Sequence, residues 1–125
     1  KRDAMAVSDS FLAYVLEQLE GLGRVRSKRM FGGIGLYCDD LFFALIDDDT
    51  LYLKVDDTTR PDFTARGLRP FQPFRDKPEY SMSYYEAPAD SLDDPEVLAG
   101  WARKAVRVAA AARKPPARKG RPRRK

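Results

Sequence analysis

The 125-residue chain reads as one small α+β domain followed by a basic tail, on three observations. Apolar residues recur at helical spacing near both ends of residues 8–112. Short apolar and aromatic runs fill the centre, separated by Asp and Gly turns. Residues 113–125 contain only Arg, Lys, Pro, Ala and Gly. A stretch of that composition buries too little apolar surface to offset its ordering entropy, so it is expected to be disordered, as are residues 1–7. The length suits one domain, at 8–112, and is short for two.

The expected order is helix, antiparallel β-meander, helix, two strands, helix. Over residues 8–22, Phe11, Leu12, Val15, Leu16, Leu19 and Leu22 form one apolar stripe. Ser8 or Ser10 can cap this helix, Asp9 suits the positive end of its dipole, and Gly21-Leu22-Gly23 ends it in a left-handed conformation. Residues 24–56 read as strands: 24–30, 32–38, an Asp39-Asp40 turn into 41–46, then a turn at 47–50 into 51–55. Leu51, Leu53 and Val55 alternate with Tyr52 and Lys54, which assigns them to opposite faces. Residues 41–46 are apolar throughout, which predicts a central strand covered on both sides.

A short helix is expected over 57–67, capped by Asp57 or Thr58, with Pro61 in its first turn and Gly67 at its end. Pro70, Pro73 and Pro78 put Phe71 and Phe74 on a loop or edge strand. Residues 80–86 are the last strand candidate, closed by Pro88. The final helix spans 94–112, with Asp94 as N-cap and Pro95 at the first helical position. Its stripe is Leu98, Trp101, Ala105, Ala109 and Ala112, and Pro115-Pro116 stops it.

The net charge of +4 conceals a division. Eight of the 23 basic residues lie in 113–125, where there is no acid. Residues 1–112 therefore hold 15 basic and 19 acidic residues, a net −4, against +8 for the tail. No apolar run approaches the roughly 18 residues of a membrane span, and the opening residues lack the apolar core of a signal peptide. With the lone Cys38 unable to form an internal disulfide, a reducing, cytoplasmic setting is expected, with no membrane contact.

Zero histidines remove the commonest general base and zinc ligand. With one Cys, His/Cys zinc sites and His-dependent catalytic triads are excluded within this chain. Asp39-Asp40 and Asp47-Asp48-Asp49 lack EF-hand spacing and read as hairpin turns. Cys38 reads as a small half-buried residue rather than an activated thiol. Gly32-Gly33-Ile34-Gly35 lacks the Lys-Ser/Thr of a phosphate loop and lies between strands, so a turn, bulge or close backbone approach is expected there. Tyr80, Tyr84 and Tyr85 can stack on bases if exposed, and otherwise serve core and edge packing. No catalytic, metal or cofactor site is read, and no cofactor is expected.

The tail invites a functional reading. Arg113, Lys114, Arg118, Lys119, Arg121, Arg123, Arg124 and Lys125 lie close together, with prolines holding them extended. Such an arm neutralises phosphates without reading bases. Arg103, Lys104 and Arg107 carry positive charge onto the last helix. The alternative is a solubilising extension.

Arg29-Met30-Phe31-Gly32-Gly33-Ile34-Gly35-Leu36-Tyr37, the runs 41–46 and 51–57, and Met82-Ser83-Tyr84-Tyr85-Glu86-Ala87-Pro88 with Trp101-Ala102-Arg103 resemble the TfoX N-terminal domain family, also called TfoX/Sxy. The resemblance covers about residues 8–112. It implies an α+β fold of the secretion-chaperone type, in the element order already read. It also implies a function class: full-length members regulate natural competence as co-activators with the cAMP receptor protein and carry a second, helical domain. Here the basic tail is read in that second domain's place, as in a stand-alone N-terminal domain. The resemblance supplies no catalytic residues. Met30, Phe31, Gly32, Gly33, Tyr84, Tyr85 and Pro88 match the family's motifs in what reads as a structural role.

The leading expectation is a transcription-associated regulator or adaptor, not an enzyme. It would work by contact with a protein of the transcription machinery or a regulator, with the tail adding affinity for nucleic acid. A second reading is an interaction module, as a homodimer or otherwise, that binds no DNA. An enzyme using carboxylates or Cys38 has only the Asp clusters and the lone thiol behind it.

Overall fold

The computed structural model describes residues 9–30, 33–71 and 83–113. Phe31, Gly32, Phe74, Tyr80 and the tail beyond Arg113 lie outside them, as does the disorder expected at 1–7.

Five strands form one antiparallel sheet in chain order: β1 (Val25–Met30), β2 (Gly33–Cys38), β3 (Leu41–Asp47), β4 (Thr50–Lys54) and β5 (Tyr84–Glu86). Two tight hairpins set its register. Asp39 and Asp40 have φ of 50° and 67°, and Asp48 and Asp49 have 52° and 53°. Two successive residues at positive φ match the twist of the flanking strands, as in a type I′ turn, and Asp tolerates that region better than most residues.

The structure places β3 centrally, as expected, but leaves only one of its faces covered by helix among the described residues. A β-bulge divides its residues unevenly between the faces. Leu36 pairs with Ala44 and Tyr37 with Phe42, leaving Phe43 as the extra residue. Phe43 and Ala44 are both fully buried, whereas Phe42 and Leu45 are half-buried. The bulge turns two successive residues to the core and leaves Phe42 and Leu45 on the opposite face.

That cover is α3 (Pro95–Arg113), which packs on β3 and β4, assisted by α1 (Asp9–Gln18). Ile34, Leu36, Ala44, Ile46, Leu51, Leu53 and Tyr85 face it, with Val15, Leu19, Leu98, Ala102 and Ala105 from the helices. Asp94 caps α3 through Oδ1, which accepts the amides of Glu96 at 3.1 Å and Val97 at 3.4 Å. The stripe ends sooner than expected: Ala109 is buried and Ala112 is exposed.

Three other helical details depart from expectation. The helix expected over 8–22 divides into α1 and a 3₁₀ turn at Glu20–Leu22, because the Leu19 amide is shared between the carbonyls of Val15 and Leu16. Gly23 then turns the chain at φ 134° and ψ −154°, an extended glycine conformation rather than a left-handed cap. The helix expected over 57–67 shrinks to α2 (Arg60–Thr64), and its cap is Asp56 rather than Asp57 or Thr58. Asp56 Oδ1 accepts the amides of Thr58 and Thr59, while Thr59 Oγ1 accepts the amide of Asp56. That reciprocal pair is a capping box. Gly67, at φ 73°, ends the segment as expected.

Of the strand expected over 80–86, the described part forms β5 at Tyr84–Glu86, and residues 80–82 lie outside the described residues. Phe71 donates its amide to Tyr84, and Glu86 donates to Arg69, so Pro70 bridges Tyr85 at the sheet edge.

Candidate functional site

Strand alternation leaves a second face on which, among the described residues, no helix packs. Register places Arg26 beside Tyr37 and Tyr37 beside Phe42 on this face. The Tyr37 and Phe42 rings stack at 5.1 Å and 21°, and Phe42 meets Tyr84 at 5.7 Å. Lys54 Nζ lies 4.9 Å from the Tyr84 ring centroid, within cation–π range. Tyr52 and Phe71 form a second ring pair at 5.0 Å. All these rings are half-buried, so each keeps part of its surface open.

Packing alters the titration of this face. Burial, with a smaller contribution from Tyr37, pushes the Tyr84 phenol up to about 12. Burial also raises Tyr52 and lowers Lys54. Tyr84 is therefore a neutral hydroxyl over the whole physiological range, and burial works against the charged form of Lys54.

The open edge of the sheet is basic. Arg24, Arg26, Lys28 and Arg29 fall within residues 24–29, where there is no acid, and all four are exposed. Among the described residues β1 pairs only with β2, so charge blunts an edge that would otherwise recruit another strand. Arg26 reaches Asp40 at 2.6 Å, but both side chains are more than half exposed, and such a pair is worth little.

The remaining candidates resolve into structural roles. The Asp residues form turns, and among the described residues no three acidic or thiol groups converge on a metal site. Burial and then the Asp48 charge raise the Asp47 carboxyl from its ordinary value. Cys38 is buried, and burial followed by the Asp39 charge raises its thiol, away from the reactive thiolate. An open cleft of about 440 Å³ beside Lys54, Asp56 and Arg60 has its carboxylates engaged, Asp57 with Arg60 at 2.6 Å and Asp56 in its capping box.

The motif residues divide between faces. Tyr84 lies on the open face and its neighbour Tyr85 in the core, near Phe63. Gly33 begins β2, where an added Cβ would lie 2.5 Å from the Ile46 carbonyl oxygen, the close approach expected in the glycine run. Met30 ends β1. Pro88 leads a 3₁₀ turn at Ala89–Asp93, and its carbonyl accepts both the amide and the hydroxyl of the buried Ser91. Arg113 is the last residue of α3.

Sequence reasoning passed over Tyr37, Phe42 and the β1 cations. The signal was present: Arg26 and Lys28 alternate with Val25 and Ser27. Only the cross-strand register shows that these cations and the rings share a face.

The comparisons with known proteins agree with the residues. A 65-residue stretch, 52% of this chain, is 29% identical to the DNA transformation protein TfoX1 of Aliivibrio fischeri and covers 31% of that relative's length. A model of the TfoX N-terminal domain matches residues 17–109, from the end of α1 to the last buried turn of α3. With that match covering most of the described fold, the chain belongs to the TfoX N-terminal domain family.

Proposed function

We propose that this protein is a regulator or adaptor connected with DNA transformation, acting by protein contact in transcription. The observation that carries this is the family match over residues 17–109, together with the name of the Aliivibrio fischeri relative. The sheet face on which, among the described residues, no helix packs supports a binding role. Loss of the gene, read by transcript profiling and transformation frequency, tests it. Unchanged transcripts and frequency would remove the regulatory reading.

The tail adds sequence-independent affinity for nucleic acid through its eight cations in 113–125. Among the described residues of α3 the last buried one is Ala109, so removal of residues 113–125 is expected to spare the described core. A mobility-shift assay on the full and shortened chains with duplex DNA at low salt should show retention by the full chain alone. Equal, negligible retention by both would refute the tail's role.

A further inference from the structure

We propose that the helix-free face of the sheet is a platform for single-stranded nucleic acid, with Tyr37, Phe42 and Tyr84 as the stacking row. Three observations carry this. The rings form a continuous row across the sheet, with centroid separations of 5.1 and 5.7 Å. Cations flank the row at both ends: Arg26 and Lys28 on β1, and Lys54 over Tyr84. No helix among the described residues covers the row.

Charge selects the occupant. Residues 1–112 carry a net −4, yet residues 24–29 carry four cations and no acid. Register sets Arg26 and Lys28 on the ring side of β1 and Arg29 on the other, so two of these cations border the rings, while Asp47 and Glu86 lie towards the far end of the same face. A second copy of this chain adding at β1 would set four cations against four, which disfavours a homodimer through this edge. A phosphate backbone with unpaired bases satisfies both features, since phosphates meet the cations and bases meet the rings. Five strands span about 19 Å, room for the two or three bases that sheet platforms stack. Duplex DNA offers phosphates but no free base faces, so this surface distinguishes the two forms where a charged arm does not.

The test uses the full chain and two labelled probes, a 15-nucleotide oligo-dT strand and a 15-base-pair duplex, read by fluorescence anisotropy. Tyr37→Leu and Phe42→Leu keep apolar volume and remove the ring. Each is expected to weaken single-strand binding roughly five- to a hundredfold, with duplex binding unchanged within about twofold. Lys28→Ala, on an exposed edge position, is expected to reduce the single-strand salt slope by about 0.7. Quenching of the parent's tyrosine fluorescence by oligo-dT reads stacking without any variant, and so decides the matter if a Leu variant fails to fold.

Equal affinity for strand and duplex, with no quenching and no loss in folded Leu variants, would overturn the proposal while leaving the tail's charge effect intact. Absence of any oligonucleotide binding would overturn both. Ring-dependent binding of an extended acidic peptide, with none of oligo-dT, would overturn it in favour of a protein partner.

Discussion

Replacing Gly33 by Ala is expected to destabilise the domain by about 1–3 kcal/mol, the usual cost of forcing extra volume into a close-packed site. The added Cβ would lie 2.5 Å from the Ile46 carbonyl oxygen and 3.5 Å from an Asp47 carboxylate oxygen. The carboxylate can swing away. The carbonyl cannot, because Ile46 is paired with Ile34 on one side and Leu51 on the other. Relief therefore means shifting β2 against β3, where Ile34 and Ile46 are both in the core. In a domain of this size each kcal/mol lowers Tm by about 4–8 °C.

Gly100 supplies the opposite sign within the same protein. It lies in α3, where an added Cβ meets nothing within 4 Å. Gly100→Ala should therefore stabilise by about 1 kcal/mol through helix propensity. Urea unfolding of the two variants beside the parent reads both, with m expected to be unchanged. If Gly33→Ala is as stable as the parent, the close approach does not constrain the strand pair, and the structural account of this motif residue fails.

Two carboxylates should respond to pH with opposite sign. Asp47 is raised in the folded state by burial and by Asp48, so the folded chain holds its proton to higher pH than the unfolded chain and loses stability as pH rises through that window. Asp47→Asn should raise Tm at pH 7 and leave it unchanged below the ordinary carboxylate range. A lower Tm at pH 7 would show that the charged form is favoured. Asp56 is lowered, chiefly by the Thr58 hydroxyl and then by backbone amides, so its contribution is present above the ordinary carboxylate range and disappears as pH falls through its lowered value. Asp56→Ala should lower Tm at pH 7 and progressively less towards acid; a deficit independent of pH would count against the capping role.

Element order was legible because each element has a local cause. The α3 cap, the Asp turns and the alternation of β4 are written within a few residues and survive into the fold. What failed depended on longer-range geometry. The run at 41–46 looked two-sided because a bulge is set by pairing with β2, which composition does not record. Leu19 looked helical because it lies on the apolar stripe, yet its amide serves two carbonyls where α1 tightens. The candidate site was least legible. Tyr37, Phe42 and Tyr84 come from three strands, and only register brings them together.

The two faces of this sheet answer to different physical demands. The covered face follows the rules for a core: Ile34, Leu36, Ala44, Ile46, Leu51 and Leu53 are apolar, buried and matched by the apolar faces of α1 and α3. The open face does not follow a simple solvent rule, under which small polar and β-branched residues would alternate outward. It holds a row of large rings and an ammonium group whose burial lowers its pKa. The contact of Lys54 with Tyr84 offsets part of that cost. A fold selected for stability alone has no need of the arrangement, since an uncharged residue at position 54 would avoid the desolvation. Departures from local rules are expected where a surface has another task. Here the departure coincides with the only described face left without helical cover, and that coincidence makes the Tyr37, Phe42 and Tyr84 row the place to seek this protein's binding activity.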